Sequence, residues 1–260
     1  MPSRRSLLPR EHGAYAELAF PLATGLALSP PTLSALGLAL ATVAFFLAHE
    51  PLAILLGARG LRLQAQETGR ARGRVAFLVG AGVLFGGLGA AGAGTLLWPS
   101  LLYPAGALLL LLPLVFLGHQ KTMVGEILVL TVFATLVLPL GAASGAESGR
   151  MISAVLVWWG SFFLGTLEVH AIKARHKTNQ RSQWTRWGSP TASTATVLLC
   201  SGLAFFGGDS YRWPALALFL PALGTLFLSI IRVHPKDLKK VGWTLVGTNT
   251  VVLIILLVSG

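Results

Sequence analysis

Nine apolar stretches, each close to the length of a membrane-spanning helix, limit most strongly how this chain can fold. They lie at residues 13–29, 32–48, 75–94, 101–118, 126–143, 151–169, 191–207, 214–231 and 242–259. A helix needs about 20 apolar residues to cross roughly 30 Å of hydrocarbon, because each residue advances about 1.5 Å. The bilayer also requires each backbone polar group to bond within the protein, as a helix allows. The sequence therefore predicts an all-α, polytopic membrane protein with about nine transmembrane helices in one bundle.

The composition supports this fold class. Of the 260 residues, 54% are hydrophobic and only 11% are charged, whereas soluble domains carry about 25% charged residues. The single cysteine, Cys200, lies in an apolar stretch. One cysteine excludes both an intrachain disulfide and a metal site built from several cysteines of one chain.

Lysine and arginine fall almost entirely on one side of the predicted bundle. Eighteen of the 20 precede the first stretch or follow an even-numbered one, and only Arg150 and Arg212 lie on the other side. The positive-inside rule then places the N-terminus in the cytoplasm and Gly260 outside. The rule also explains the net charge of +11. No nucleic-acid partner is expected, because nucleic-acid binding needs a basic face on a soluble module.

The chain is predicted to form one unit. Residues 1–12 form a cytoplasmic N-terminal segment, and residues 13–260 form a single transmembrane domain. Its cytoplasmic loops are expected at 49–74, 119–125, 170–190 and 232–241. Within the first loop, Arg59 and Arg62 are three residues apart in residues 52–64, which predicts a short amphipathic helix there.

Histidines and acids concentrate on the same predicted cytoplasmic side. All six histidines and seven of the nine acids fall there. An ionisable side chain in a membrane segment costs at least about 2.5–3.5 kcal/mol, so a retained one is a candidate functional residue. We therefore expect the helix ends to line one polar cavity open to the cytoplasm. Its candidate residues are His12, Glu17, His49, Glu50, Glu168 and His170. Ordinary contact with lipid headgroups would explain each of them singly.

Basic residues accompany these candidates. His170, Lys173 and Lys177 recur on one helix face, and Arg59, Arg62 and Lys121 add positive charge on the same side. Such groups can hold an anionic headgroup or a diphosphate. A signal for membrane orientation would require the same residues, so both interpretations stand.

Three stretches resemble the YwiC-like family of bacterial membrane proteins. They are REHGAYAELAFPLATGL at 10–26, FFLAHEPLAILLG at 45–57 and LEVHAIKARHK at 167–177. More remotely, the nine stretches, the loops after the second and sixth, and residues 234–257 are similar to the UbiA superfamily of intramembrane prenyltransferases. The resemblance implies a multi-pass protein of the bacterial cytoplasmic (inner) membrane with a UbiA-like bundle.

Members of the UbiA superfamily carry aspartate-rich motifs after spans two and six, which hold Mg²⁺ against a prenyl diphosphate. Here the corresponding positions are His49 to Ala53 and Glu168 to Ile172, without aspartate. Phosphate chemistry of this kind depends on charge neutralisation by a metal ion. Whether the chain is an enzyme is therefore left open by its sequence.

Two hypotheses follow, with a transporter as a third. The first is a prenyltransferase-like enzyme that uses Mg²⁺ and acts on an isoprenoid or quinone-type lipid. Its catalytic residues would be His49, Glu50, Glu168 and His170, and its substrate-binding residues His12, Glu17, Arg59, Arg62, Lys121 and Lys173. The second is an accessory protein that holds a quinone, haem or metal for a larger membrane assembly, since imidazole is a common ligand of haem and metal ions. Its candidate metal ligands are His12, His49, Glu50, Glu168 and His170.

Overall fold

The computed structural model describes residues 7–9, 12–175, 183–231 and 233–258, and within them each regular element is a helix. The helices are α1 (His12–Ala27), α2 (Leu33–Leu55), α3 (Leu61–Ala91), α4 (Leu97–Phe116), α5 (Met123–Thr135), α6 (Val137–Ser144), α7 (Ser148–Arg175), α8 (Gln183–Phe206), α9 (Asp209–Ile231) and α10 (Leu238–Val258). A 3₁₀ turn at Pro235–Asp237 precedes α10.

The helices coincide with the nine predicted apolar stretches. In the described residues, eight helical segments are long and apolar enough to cross a membrane. The remaining stretch, residues 13–29, corresponds to α1, which has 16 residues. The predicted fold class is therefore confirmed: the chain is an all-helical, polytopic membrane protein.

Helices α5 and α6 together make one span, Met123–Ser144. The break between them at Leu136 has a cause in the sequence. Pro139 has no backbone N–H, and its ring clashes with the carbonyl four residues earlier, that of Thr135, where α5 ends. The Thr135 hydroxyl donates to the carbonyl of Thr131 at 2.7 Å, so a side-chain hydrogen bond also reaches a carbonyl in the last turn of α5.

The first long loop differs from its prediction. Helix α2 continues past Pro51 to Leu55, and α3 begins at Leu61, so most of residues 49–74 is helical. The separate amphipathic helix expected at 52–64 is wrong, because a turn at 56–60 divides that stretch between α2 and α3. Gly57 and Gly60 form this turn with φ of 72° and 100°, a left-handed backbone that other residues rarely adopt.

Helix α7 is at the centre of the bundle and packs against α1, α5, α6, α8, α9 and α10. The Trp158 ring is fully buried and stacks on Phe20 of α1 and Phe162 of α7. Its Nε1 donates to the Thr24 hydroxyl at 2.9 Å. Interhelical hydrogen bonds of this kind stabilise helix pairs within a bilayer, where apolar burial alone gives little preference for protein over lipid.

Consecutive spans must run in opposite directions across a bilayer, so the helix ends form two sets. One set comprises the starts of α1, α3, α5, α8 and α10 and the ends of α2, α4, α7 and α9. We call this set the basic end of the bundle, since the residues within and next to these helix ends include most of the lysines and arginines. Its placement in the cytoplasm stays a prediction from charge.

Candidate functional site

Glu168 is the most deeply enclosed of the predicted site residues that the structure describes. Its side chain is 0% exposed and lies near the end of α7, where α8 and α9 meet that helix. Its Oε2 atom accepts hydrogen bonds from the hydroxyls of Ser189 on α8, at 2.5 Å, and Ser229 on α9. A carboxylate at this position therefore joins three helices.

A second polar contact lies one helical turn away, after Ser189 on α8 and before Ser229 on α9. The Ser193 and Thr225 hydroxyl oxygens are 2.9 Å apart, and both residues are fully buried. We call Glu168, Ser189, Ser229, Ser193 and Thr225 the α8/α9 ladder. The sequence analysis identified Glu168 but missed the hydroxyls. Their signal was present, since Ser189 and Ser193 on α8, like Thr225 and Ser229 on α9, are four residues apart in apolar helices.

His170 and Glu126 form a second contact at the basic end. His170 Nε2 lies 2.7 Å from Glu126 Oε2, with the two side chains 30% and 34% exposed. Glu126 is in the first turn of α5, where the helix dipole favours a carboxylate. The Thr122 side chain caps that helix by accepting from the Gly125 N–H. The contact thus brings the end of α7 to the start of α5.

Two predicted binding lysines flank this contact. Lys121 immediately precedes the cap residue of α5, and Lys173 follows His170 by three residues on α7, so that the two share one face of that helix. Both lysine side chains are exposed. The region around His170 therefore combines an acid–base pair with two positive charges that solvent or a headgroup can reach.

Glu50 and Arg59 form a third contact, at the turn between α2 and α3. Arg59 Nη2 lies 2.6 Å from Glu50 Oε2, and the Glu50 side chain is only 7% exposed. The Gln64 amide donates to the Leu55 carbonyl at 2.6 Å and holds the same turn. The Arg59 Nε atom is buried without a hydrogen-bond partner within the described part of the chain. Arg59 is thus paired with Glu50. Arg62, by contrast, is exposed at the start of α3.

The remaining predicted residues are more dispersed. Glu17 is half-buried on α1, and His49 is exposed at the end of α2. The His12 side chain lies outside the described residues, although its backbone begins α1. Among the described side chains, no three of histidine, cysteine, aspartate or glutamate are grouped as ligands for one metal ion. The structure thus places Glu50, Glu168 and His170 in three polar contacts, the last of them with Glu126, and their role as one functional site stays a prediction.

The comparisons with known proteins concern mainly the first half of the chain. The sequence model of a family described as YwiC-like protein matches residues 8–140. No curated protein and no solved structure matches the chain significantly. The likeness to UbiA prenyltransferases therefore stays a prediction from the sequence. The matched segment is more than half of the chain and contains Glu17, Glu50, Arg59 and Glu126. The chain belongs to the YwiC-like family.

Proposed function

We propose that this YwiC-like protein holds an isoprenoid or quinone-type lipid with an anionic headgroup at the basic end of its bundle, in a bacterial cytoplasmic membrane. The contact between His170 and Glu126 carries the proposal. It is a half-exposed acid–base pair at a helix junction, with Lys121 and Lys173 beside it in the chain.

The chemistry of the pair suits a quinone or phenol headgroup. His170 presents Nε2 to Glu126, so Nδ1 is the ring nitrogen that would meet a ligand. Imidazole can donate to a carbonyl oxygen or accept from a hydroxyl, depending on its tautomer. Where the Glu126 carboxylate accepts from the Nε2–H, a neutral ring leaves Nδ1 to accept from a hydroxyl, whereas a ring that carries both protons donates from Nδ1 to a carbonyl. The pair can therefore hydrogen-bond either redox form of a quinone.

The lysines suit the anionic part of such a lipid. A lysine offers three donors and a full positive charge to a phosphate or phenolate. Each charge-assisted hydrogen bond contributes on the order of 1.5–3 kcal/mol. Lys121 lies in the turn before α5 and Lys173 lies on α7, so a headgroup contacting both would bridge the start of α5 and the end of α7.

The apolar surface around Lys121 suits the isoprenoid chain of such a lipid. Phe116, Leu117 and Val124, which precede and follow Lys121, are 69%, 67% and 61% exposed. Helix α4 packs against α5, so this apolar surface is continuous with the start of α5. An isoprenoid chain lying along α4 would place its headgroup beside His170.

Binding of two defined probes tests the proposal. The full chain, purified in detergent, would be titrated with a short-chain ubiquinone and with farnesyl diphosphate, and tryptophan fluorescence would report binding. We expect His170→Ala to weaken ubiquinone binding by about tenfold, since one charge-assisted contact corresponds to roughly that factor. Lys121→Gln combined with Lys173→Gln should weaken farnesyl diphosphate binding at least as much.

Arg150→Gln provides the control, because it also removes a positive charge but lies at the opposite end of α7. Equal losses in this control, or no binding of either probe to the wild-type chain, would contradict the proposal. Pyrophosphate release from farnesyl diphosphate with Mg²⁺ and an aromatic acceptor would show that the protein also catalyses prenyl transfer.

A further inference from the structure

We propose a second lipid site, independent of the function proposed above: a groove between α9 and α10 that holds one hydrocarbon chain of an anionic membrane phospholipid, with the phosphate at the lysines that begin α10. The headgroup, the chain and the two helices involved all differ from those of the site at His170.

The groove has a volume of about 570 Å³. Its lining is almost wholly apolar and consists of Leu220, Leu223, Gly224, Phe227, Gly247, Thr248 and Val251. Two glycines create the gap. A Cβ atom placed on Gly224 would lie 3.7 Å from the Thr248 hydroxyl, and a Cβ on Gly247 would meet open space. The one hydroxyl of the lining, on Thr248, donates to the Thr244 carbonyl at 2.9 Å. The groove therefore offers a surface for alkyl groups.

The depth of the groove matches one leaflet. Thr248 is ten residues after Leu238, the first residue of α10, which corresponds to about 15 Å along a helix. That is about half of the roughly 30 Å hydrocarbon layer. A lipid chain that enters from the leaflet at the start of α10 would therefore end near the groove.

The positive charge at the start of α10, two helical turns before Gly247, favours an anionic headgroup. Residues 236–240 contain three exposed lysines, Lys236, Lys239 and Lys240, and a single acid, Asp237. Lys240 lies 2.8 Å from Asp237, with side chains 83% and 40% exposed. Exposed pairs of this kind hold their partners weakly, so Lys240 can turn to a phosphate. Basic clusters beside a membrane helix favour anionic over zwitterionic lipids.

The lysines and the groove share one face of α10. Lys240 precedes Gly247 by seven residues and Val251 by eleven, and both spacings are close to whole turns of a helix with 3.6 residues per turn. Trp243 lies between them in sequence and is 68% exposed. Tryptophan is enriched at the level of the headgroups. A single lipid molecule could thus contact Lys240, Trp243 and Gly247 along one stripe.

Native mass spectrometry of the full chain tests this site. The protein would be exchanged into micelles that contain equal amounts of dioleoylphosphatidylglycerol and dioleoylphosphatidylcholine, and the retained lipids would be counted. The wild-type chain should retain phosphatidylglycerol over phosphatidylcholine by about tenfold. Gly247→Leu should retain one phosphatidylglycerol fewer per molecule, because the new side chain fills the groove.

Matched variants provide the controls. Gly242→Leu places the same side chain on α10 where a Cβ also meets open space, outside the groove lining. It should keep the wild-type lipid count. Lys239→Gln with Lys240→Gln should lose the preference for phosphatidylglycerol, whereas Arg72→Gln with Arg74→Gln on α3 should keep it. Equal retention of the two lipids by the wild-type chain, or the same count in Gly247→Leu and Gly242→Leu, would overturn the proposal.

Discussion

At the scale of single residues, Glu168 shows what an ionisable side chain needs inside a bilayer. Taking a carboxylate from water into hydrocarbon costs several kcal/mol unless the group is hydrogen-bonded. Two hydroxyl donors, Ser189 and Ser229, meet Glu168 at the junction of three helices. The carboxylate is therefore solvated by the protein, and its position depends on α8 and α9 as much as on α7.

Removing one donor should destabilise the bundle measurably. Ser189→Ala leaves a buried acceptor with one contact fewer, which costs about 1–3 kcal/mol in the free energy of unfolding. Ser201→Ala is the matched control on α8, since within the described residues that hydroxyl donates only to the Val197 carbonyl of its own helix. Chemical denaturation in detergent would compare the two. Losses of equal size would mean that the contact with Glu168 contributes nothing of its own.

A double-mutant cycle separates the Glu168–Ser189 contact from general effects of each substitution. Glu168→Gln and Ser189→Ala should be non-additive by about 0.5–3 kcal/mol, because the residues are in direct contact. Glu168→Gln and Ser201→Ala should be additive. Additivity in both cycles, measured by the same denaturation, would be evidence against the α8/α9 ladder.

The sequence predicted the acid and not its partners for a physical reason. Glu168 stands out because a carboxylate near a membrane segment is costly, whereas serine is tolerated in apolar helices and is marked here only by the four-residue spacing of the hydroxyls. Which hydroxyls reach Glu168 depends on how α7, α8 and α9 are rotated against one another. Likewise, the position of His170 in the sequence singled it out, but only the packing of α5 on α7 brings Glu126 to within 2.7 Å of it.

At the scale of helices, the packing of α2 on α3 depends on close contact between backbones. A Cβ atom on Gly89 would lie 2.8 Å from the Ser34 carbonyl oxygen and 2.9 Å from the Leu38 nitrogen. On the other helix, a Cβ on Gly37 would lie 2.9 Å from the Phe85 carbonyl oxygen. Small residues allow such approaches, which increase van der Waals contact between membrane helices.

A larger side chain at this contact should separate the two helices. Gly89→Leu should lower the thermal unfolding temperature and destabilise the protein by about 1–3 kcal/mol or more, because backbone atoms cannot move aside as side chains can. Gly87→Leu is the control on α3, where a Cβ would meet nothing within 4 Å. We expect it to be neutral or slightly stabilising, since leucine favours a helix over glycine. Equal melting temperatures for both variants would argue against this close packing.

The helices also show how far hydrophobic pattern predicts structure. Apolar length located all nine stretches, because the bilayer imposes one length on each span. It did not locate the start of α3 at Leu61, since residues 61–74 carry seven of the charged or amide side chains that mark a loop. A helix can extend beyond the hydrocarbon once a turn such as 56–60 starts it. That extension leaves no trace in hydropathy.

At the scale of the whole molecule, the two ends of the bundle differ in charge and in polar contacts. The three contacts of Glu50, Glu126 and Glu168 all lie at the basic end. A lipid headgroup would meet them from the leaflet on that side, and the lysines that begin α10 face the same leaflet. The orientation of the bundle therefore decides which leaflet supplies both proposed lipids, and the charge asymmetry predicts the cytoplasmic one.

Cysteine labelling in intact cells tests this orientation. Cys200 is the only cysteine of the chain and is 2% exposed, so an introduced cysteine would dominate the labelling by a polar maleimide. Glu147 and Lys236 are both exposed and lie at opposite ends of the bundle. Glu147→Cys should react with a membrane-impermeant maleimide added outside, because only Arg150 and Arg212 among the basic residues lie on that side. Lys236→Cys should react only in inside-out vesicles. The reverse result would place the basic end outside the cell, against the positive-inside rule, and both proposed lipids would then come from the outer leaflet.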